Sequence, residues 1–204
     1  MRRIIIVATL LIMSTVAASA QSATEWLARL DSSLGERYAM SINVTVGTDE
    51  GDATQLAGFV MVEGDGYYIT LGTMEVYSDG KLRYEVNNER KEVVEDSVNL
   101  EAVDLLTNPT RAFDFVPEEF YAEVSALSDD GVTLLLTPRS DAMGISTITL
   151  TMSRRGNDLT PISVAYDYEG DIVTIGLTAV DTADIALRRW NRSEYRAYDI
   201  VSFL

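Results

Sequence analysis

From Tyr38 onward the chain is a succession of short segments in which apolar residues recur at every second position, joined by links only a few residues long. Tyr38, Met40, Ile42, Val44 and Val46 alternate with Ala39, Ser41, Asn43 and Thr45, the pattern of a strand with one buried face. The spacing predicts further strands over 55–63, 67–71, 74–77, 82–86 and 91–95, then over 120–127, 132–136, 145–153, 161–168 and 172–180, with a last short one within 195–203. Gly47 to Asp52, Gly64-Asp65-Gly66, Ser78-Asp79-Gly80, Asn87-Asn88, Asp129-Asp130-Gly131, Arg155 to Asp158 and Glu169-Gly170-Asp171 supply turn residues between them. Parallel neighbours would need a crossover of about a dozen residues, so these links impose an antiparallel meander. One sheet of about 11 strands with few helices must curl to bury a face. The expected fold is mostly β: a single curved antiparallel sheet forming an incomplete barrel, covered by short helices.

Two stretches depart from the period of two. Thr24 can cap a helix in which Trp26, Leu27, Leu30 and Leu34 share a face and Gly35 is the stop. Asn99 can cap a second, with Leu100, Ala102, Val103 and Leu106 on one side and Glu101 and Asp104 on the other, ended by Pro109. A further short helical piece would carry Phe113 and Phe115. Such helices are not stable alone, and the nearest apolar surface is the hollow of the sheet.

Residues 1–20 read as an export signal. Arg2 and Arg3 precede an apolar run from Ile4 to Val16, and Ala17-Ala18-Ser19-Ala20 has the small residues of a cleavage site after Ala20. A retained membrane anchor is the alternative, although the run is short for a span. No Cys follows it, so the chain cannot be lipidated there. Residues 21–204 then form one domain in the periplasm, with no linker or repeat to divide them.

The full chain has 32 acidic and 16 basic residues, a formal charge of −16. Cleavage after Ala20 would remove two bases and no acid, leaving −18. That field disfavours nucleic acid and, equally, an anionic membrane surface; it favours a soluble protein and basic partners. Cysteine and histidine are both absent, which removes disulfides, the commonest metal ligand and the commonest general base. There is no Gly-x-Ser-x-Gly elbow. The only lysines, Lys81 and Lys91, lie in the meander without a serine at helical spacing. The acidic turns lack the spacing of a calcium loop. No enzyme, metal or cofactor is expected; a hydrolase using an Asp/Glu pair stays open, since spatial pairs are invisible in sequence.

Several strands are apolar on both sides: Phe59 and Met61 alternate with Val60 and Val62, and Leu134–Leu136 and Ile172–Leu177 behave similarly. Met40, Met61, Met74, Met143 and Met152 are flexible fillers suited to a surface of variable shape. An ordinary core would use the same inventory.

Met74-Glu75-Val76-Tyr77-Ser78-Asp79-Gly80-Lys81, followed by Tyr84, the Asn87-Asn88 turn and Val93-Val94, resembles the LolA family of periplasmic lipoprotein carriers. The interruption from Asn99 to Pro109 falls where that family has a helical lid, and the ending Tyr198-Asp199-Ile200-Val201 is similar too. The resemblance implies a half-barrel whose apolar hollow takes lipoprotein acyl chains or lipid without a cofactor. It also implies an inner-membrane releasing complex, an outer-membrane acceptor and a monomeric carrier. The implied lining is Met40, Ile42, Phe59, Met61, Tyr68, Met74 and Tyr84 from the sheet, and Leu105, Leu106, Phe113 and Phe115 from the lid. Many members carry a basic residue and a proline after the second strand, where the basic group latches the lid; this chain reads Glu63-Gly64-Asp65 there. A sensor or interaction module of the same fold, binding the extended tail of an envelope protein, is the alternative.

Overall fold

The computed structural model describes residues 22–47, 53–111, 113–140, 144–168 and 171–204; the expected signal peptide, most of the turn from Gly47 to Asp52, and Met143 lie outside these ranges. A 12-residue helix, α1 (Ala23–Leu34), opens the chain. Its cap is Ser22 rather than Thr24: the Ser22 hydroxyl accepts from the Glu25 amide at 3.3 Å, and Glu25 accepts from the Ser22 amide at 2.7 Å, a reciprocal capping box. Gly35, at φ 64°, ends it, a conformation that a side chain resists.

Six strands follow, β1 (Arg37–Gly47), β2 (Ala53–Glu63), β3 (Gly66–Leu71), β4 (Met74–Ser78), β5 (Leu82–Asn87) and β6 (Glu92–Ser97). After a linking segment and the one-turn helix α2 (Val116–Glu119) come β7 (Phe120–Leu127), β8 (Gly131–Pro138), β9 (Thr147–Arg155), β10 (Asp158–Tyr168), β11 (Asp171–Val180) and β12 (Asp199–Ser202). All twelve lie in one sheet ordered β12-β6-β5-β4-β3-β2-β1-β11-β10-β9-β8-β7. Every pairing is antiparallel except β12 with β6, which is parallel. The sheet does not close, as expected for a half-barrel. The expected strands are all present, and the described links at 64–65, 79–81, 128–130 and 156–157 are the tight reversals that the turn residues impose.

This order dictates what crosses each face. β1 is central, paired with β2 on one side and β11 on the other. The chain walks outward to β6, restarts at the opposite edge in β7, and walks back to β11. Residues 98–119 must therefore cross from one edge to the other. Residues 181–198 must return from β11, beside the central strand, to β12 at the β6 edge. The first crosses the inner face and the second the outer face, because the two apolar clusters divide that way. Tyr38, Met40, Ile42, Val60, Val62, Ile69 and the alternate residues of β8–β11 form the inner cluster with α1, Leu105, Phe113 and Phe115. Ala39, Met61, Tyr68, Tyr77, Val86 and Val93 form the outer one beneath Leu187, Trp190 and Tyr195.

The expected helix from Asn99 is not formed. Side chains take over its backbone bonds: the Asn99 carboxamide oxygen accepts from the Glu101 amide at 3.0 Å, and Asp104 accepts from Leu106 and Thr107 at 3.1 and 2.8 Å. Asn and Asp compete in this way with helix formation, so 99–108 is a run of turns. A short 3₁₀ stretch at Pro109–Arg111 and then α2 follow.

Gly58 marks a close approach of strands. A Cβ built there would meet the Thr70 carbonyl oxygen at 2.1 Å, a role for which strand glycines are used. Gly58→Ala must part β2 from β3 and is expected to cost about 1–3 kcal/mol, read as a lowered urea midpoint. An unchanged midpoint would show that the pair relaxes freely.

The outer strap, 181–198, is held by a part-buried knot. One oxygen of Glu75 accepts from Tyr68, Tyr77 and Tyr195 at 3.0, 2.6 and 3.4 Å and pairs with Arg188 at 3.1 Å; the other accepts from Asn88 at 3.0 Å. Trp190 is stacked between Tyr84 and Tyr195, at 4.5 and 4.9 Å between ring centres. Burial alone would raise the Glu75 pKa, but the bonds from Tyr77, Asn88 and Tyr68 and the Arg188 charge outweigh it and hold the value below the ordinary 4.5. A folded-state value below the unfolded one contributes stability above the unfolded value and loses it as pH falls through the folded one. Acidification below 4.5 is therefore expected to loosen the strap, read as a change in Trp190 emission in a Trp26→Phe background. Glu75→Gln should abolish that pH-dependent step, and its persistence would assign the step to another carboxylate.

Candidate functional site

The eleven residues expected to line one hollow lie on both faces of the sheet. Met40 and Ile42 are on the inner face with Leu105, Phe113 and Phe115, and Leu106 packs at the margin of that cluster. Met74 is half-buried, and strand alternation puts it on the same side as Val76. Phe59, Met61, Tyr68 and Tyr84 belong to the outer cluster beneath the strap. The reason is parity: Phe59 and Met61 alternate with Val60 and Val62, and it is the valines that face inward. Inward residues outside the expected lining are Tyr38, Tyr67 and Tyr166, exposed by only 7, 0 and 2%.

These three tyrosines anchor the segment that crosses the hollow. The Tyr38 hydroxyl donates to the Pro109 carbonyl at 2.6 Å, and the Tyr67 hydroxyl to the Thr107 carbonyl at 3.1 Å. The Leu105 amide donates to the Tyr166 hydroxyl at 3.2 Å. Burial pushes all three phenol pKa values up, so the hydroxyls stay protonated. They arise from β1, β3 and β10, and together hold the lid at three alternate residues, Leu105, Thr107 and Pro109, by its backbone. The signal for them was present: a tyrosine at an inward position among aliphatic residues must find a hydrogen-bond partner.

Within itself the lid is a tied unit. Arg111 pairs with Asp114 at 2.8 Å, donates to the Leu100 carbonyl at 3.2 Å and lies over the Phe115 ring. Asn108, only 2% exposed, donates to the Asn99 carbonyl at 3.3 Å. Besides apolar packing, the lid is attached to the inner face through the tyrosines. No basic residue occupies the turn after β2, and Arg83 beside Tyr67 is engaged with Glu85.

α1 is fastened elsewhere. Arg29 donates to the Gly156 and Asn157 carbonyls in the β9–β10 turn, and the Ser33 hydroxyl accepts from the Leu159 amide at 3.1 Å. Helix and lid are thus pinned to different parts of the sheet, and a cleft of about 200 Å³ opens between them. Leu27, Ala28, Leu30 and Leu34 line it from α1 and Phe113 and Pro117 from the lid, with Asp31 and Asp114 at its rim. Beyond Asp31 and Leu34 a second, polar cleft includes Glu36, Asp65 and Thr110. What the arrangement can do is bury apolar matter: an aliphatic face, an aromatic lid edge and a seam between two separately anchored covers.

No protein-family model and no curated protein matches the sequence. Among solved structures the chain is similar to an uncharacterized conserved protein from Thermus thermophilus, at 13% identity over 88% of this chain and 98% of that one, with a TM-score of 0.52. That likeness shows a shared fold. A LolA superfamily protein from Nitrosomonas europaea is 10% identical over 86% of this chain and 98% of that one, with a TM-score of 0.44. A putative outer membrane lipoprotein-sorting protein domain from Vibrio parahaemolyticus is 10% identical over 85% and 96%, also at 0.44.

Proposed function

We propose that this chain is an exported, non-enzymatic carrier that receives acyl chains of lipids or lipoproteins on the inner face of its sheet by displacing the lid. The observation that carries this reading is the lid itself. It covers an apolar face, is internally tied, and is fastened to the sheet by three tyrosine hydrogen bonds and the contacts of Leu105, Phe113 and Phe115. The cleft beside it, about 200 Å³, is below the roughly 300–1,000 Å³ of pockets that enclose whole small ligands. A lipid therefore needs more room than this apolar cleft offers, and lid displacement supplies it.

The energetics suit a carrier. Each CH₂ transferred from water is worth about 0.8 kcal/mol, while the lid forfeits its own apolar burial when it leaves. Cargo and lid compete for one surface, so binding is tight enough to cross water and weak enough to release. No redox or acid–base step is required of the residues present, and the acidic exterior keeps the loaded protein soluble.

Native mass spectrometry of protein purified from the periplasm without detergent tests the reading. Co-purifying mass in the lipid range that an apolar probe displaces is expected. Cargo-free protein that also fails to bind the probe would overturn it, leaving the inner cluster as plain core.

A further inference from the structure

The apolar cleft between α1 and the lid adjoins a space of opposite chemistry. Leu27, Leu30 and Leu34 of α1 and Phe113 and Pro117 of the lid wall the apolar side, about 200 Å³. Asp31 and Leu34 line both spaces, and beyond them lies the polar cleft of about 390 Å³. Its walls carry three carboxylates, Asp31, Glu36 and Asp65, and no basic residue. All three are exposed, and none has an ion-pair or hydrogen-bond partner for its carboxylate among the described residues. The bases of the flanking elements are taken elsewhere: Arg29 by the Gly156 and Asn157 carbonyls, Arg37 by Glu63, and Arg111 by Asp114. Three unmatched acids thus stand at the end of a slot walled by leucine, phenylalanine and proline.

We propose that the joined clefts bind a cationic amphiphile, with one alkyl chain in the apolar cleft and its ammonium head among Asp31, Glu36 and Asp65. This site lies apart from the face beneath the lid that the carrier reading concerns, and it is open while the lid is closed. The chain supplies affinity, at about fourfold per CH₂ taken from water. The carboxylates choose the head. At pH 7 an alkylamine is protonated and a fatty acid ionised, so the first meets opposite charge where the second meets like charge. The apolar cleft is smaller than the roughly 300–1,000 Å³ that encloses a whole ligand, and so suits one chain with its head outside.

Isothermal titration at pH 7 with decylamine, decanol and decanoate, each in monomeric solution, tests the site. The expected order of affinity is amine, alcohol, carboxylate. About tenfold should separate the first from the last, because an exposed ion pair is worth up to about fivefold and like charge works the other way. Butylamine, which has the head but little chain, should bind too weakly to register. Asp31→Asn, Glu36→Gln and Asp65→Asn together should erase the difference between amine and carboxylate while decanol binds as before. Glu89→Gln, Asp129→Asn and Asp130→Asn together remove the same charge from exposed positions elsewhere. They should leave the difference intact, since fields are screened within about 8–10 Å at physiological salt. Ala28→Phe, at an exposed position of α1 beside the apolar cleft, should fill it and weaken all three ligands. Thermal melts accompany every variant, and Asp65→Asn alone, in the turn after β2, carries the test if the triple variant melts early. Equal affinity for amine and carboxylate, loss of the difference in the distant triple variant, or unchanged binding in Ala28→Phe would each overturn the proposal. Probe binding on the inner face should be unchanged by the three carboxylate substitutions. Loss of the head preference therefore leaves the carrier reading standing, and cargo-free protein that still prefers the amine sinks the carrier reading alone.

Discussion

Removing the hydroxyls beneath the lid, Tyr38→Phe, Tyr67→Phe and Tyr166→Phe together, is expected to tighten apparent binding of an apolar fluorescent probe by about a hundredfold. Each hydrogen bond contributes about 1 kcal/mol net, so the three together shift the closed–open equilibrium by about 3 kcal/mol, two orders of magnitude. When only the open form binds, the apparent dissociation constant is the intrinsic one divided by the open fraction. The gain levels off once the lid is mostly open. Single variants should each give about fivefold on the same scale, and Tyr166→Phe slightly more, because it strands the Leu105 amide, whose acceptor is the Tyr166 hydroxyl. The phenyl rings preserve the apolar packing, so the sheet should keep its melting transition. A lowered melt with unchanged probe binding would mean that the segment is a fixed part of the core and that the tyrosines merely stabilise it.

A charge placed in the lid separates lid from core by a larger margin. Leu105 is 5% exposed within the inner cluster, whereas Leu106 packs at its margin. Leu105→Glu would bury an unpaired carboxylate, a cost of several kcal/mol. A lid can escape that cost by undocking. The expected result is a folded sheet with the inner face open, strong probe binding and a modestly lowered melt. Leu106→Glu, whose carboxylate can reach water, should change both readouts little. Leu150→Glu, at a fully buried position opposite Leu134 in the β8–β9 ladder, has no escape and should abolish folding. Loss of the cooperative melt in Leu105→Glu, matching Leu150→Glu, would sink the carrier mechanism.

The strands were legible because their information is local. Alternation in 38–46 and the turn residues at 64–66, 78–80 and 87–88 are sufficient to place β1–β6. The lid was legible only as an interruption. Its expected helix failed because Asn99 and Asp104, which look like a cap and a solvent-facing acid, spend their oxygens on neighbouring amides. Phe59 and Met61 were placed in the hollow with the lining that the family resemblance implied; nothing within β2 says which of two apolar stripes faces in. The strap was missed because 181–198 has no period, although Leu187, Trp190, Tyr195 and Tyr198 were an apolar load that had to be buried somewhere.

Period, turn chemistry and charge are properties of neighbours along the chain. They were sufficient for a mostly β, antiparallel half-barrel with a crossing segment near residue 100 and for a strongly acidic exterior. Strand order, the parallel β12–β6 pair, the choice of inner face and the meeting of Tyr38, Tyr67 and Tyr166 with one stretch of lid backbone depend on residues far apart in the chain, 71 positions for Tyr38 and Pro109 and 141 for Ala39 and Val180. Such contacts are selected by how the two apolar faces of one sheet can both be covered at once, a condition on the whole chain that no local window contains.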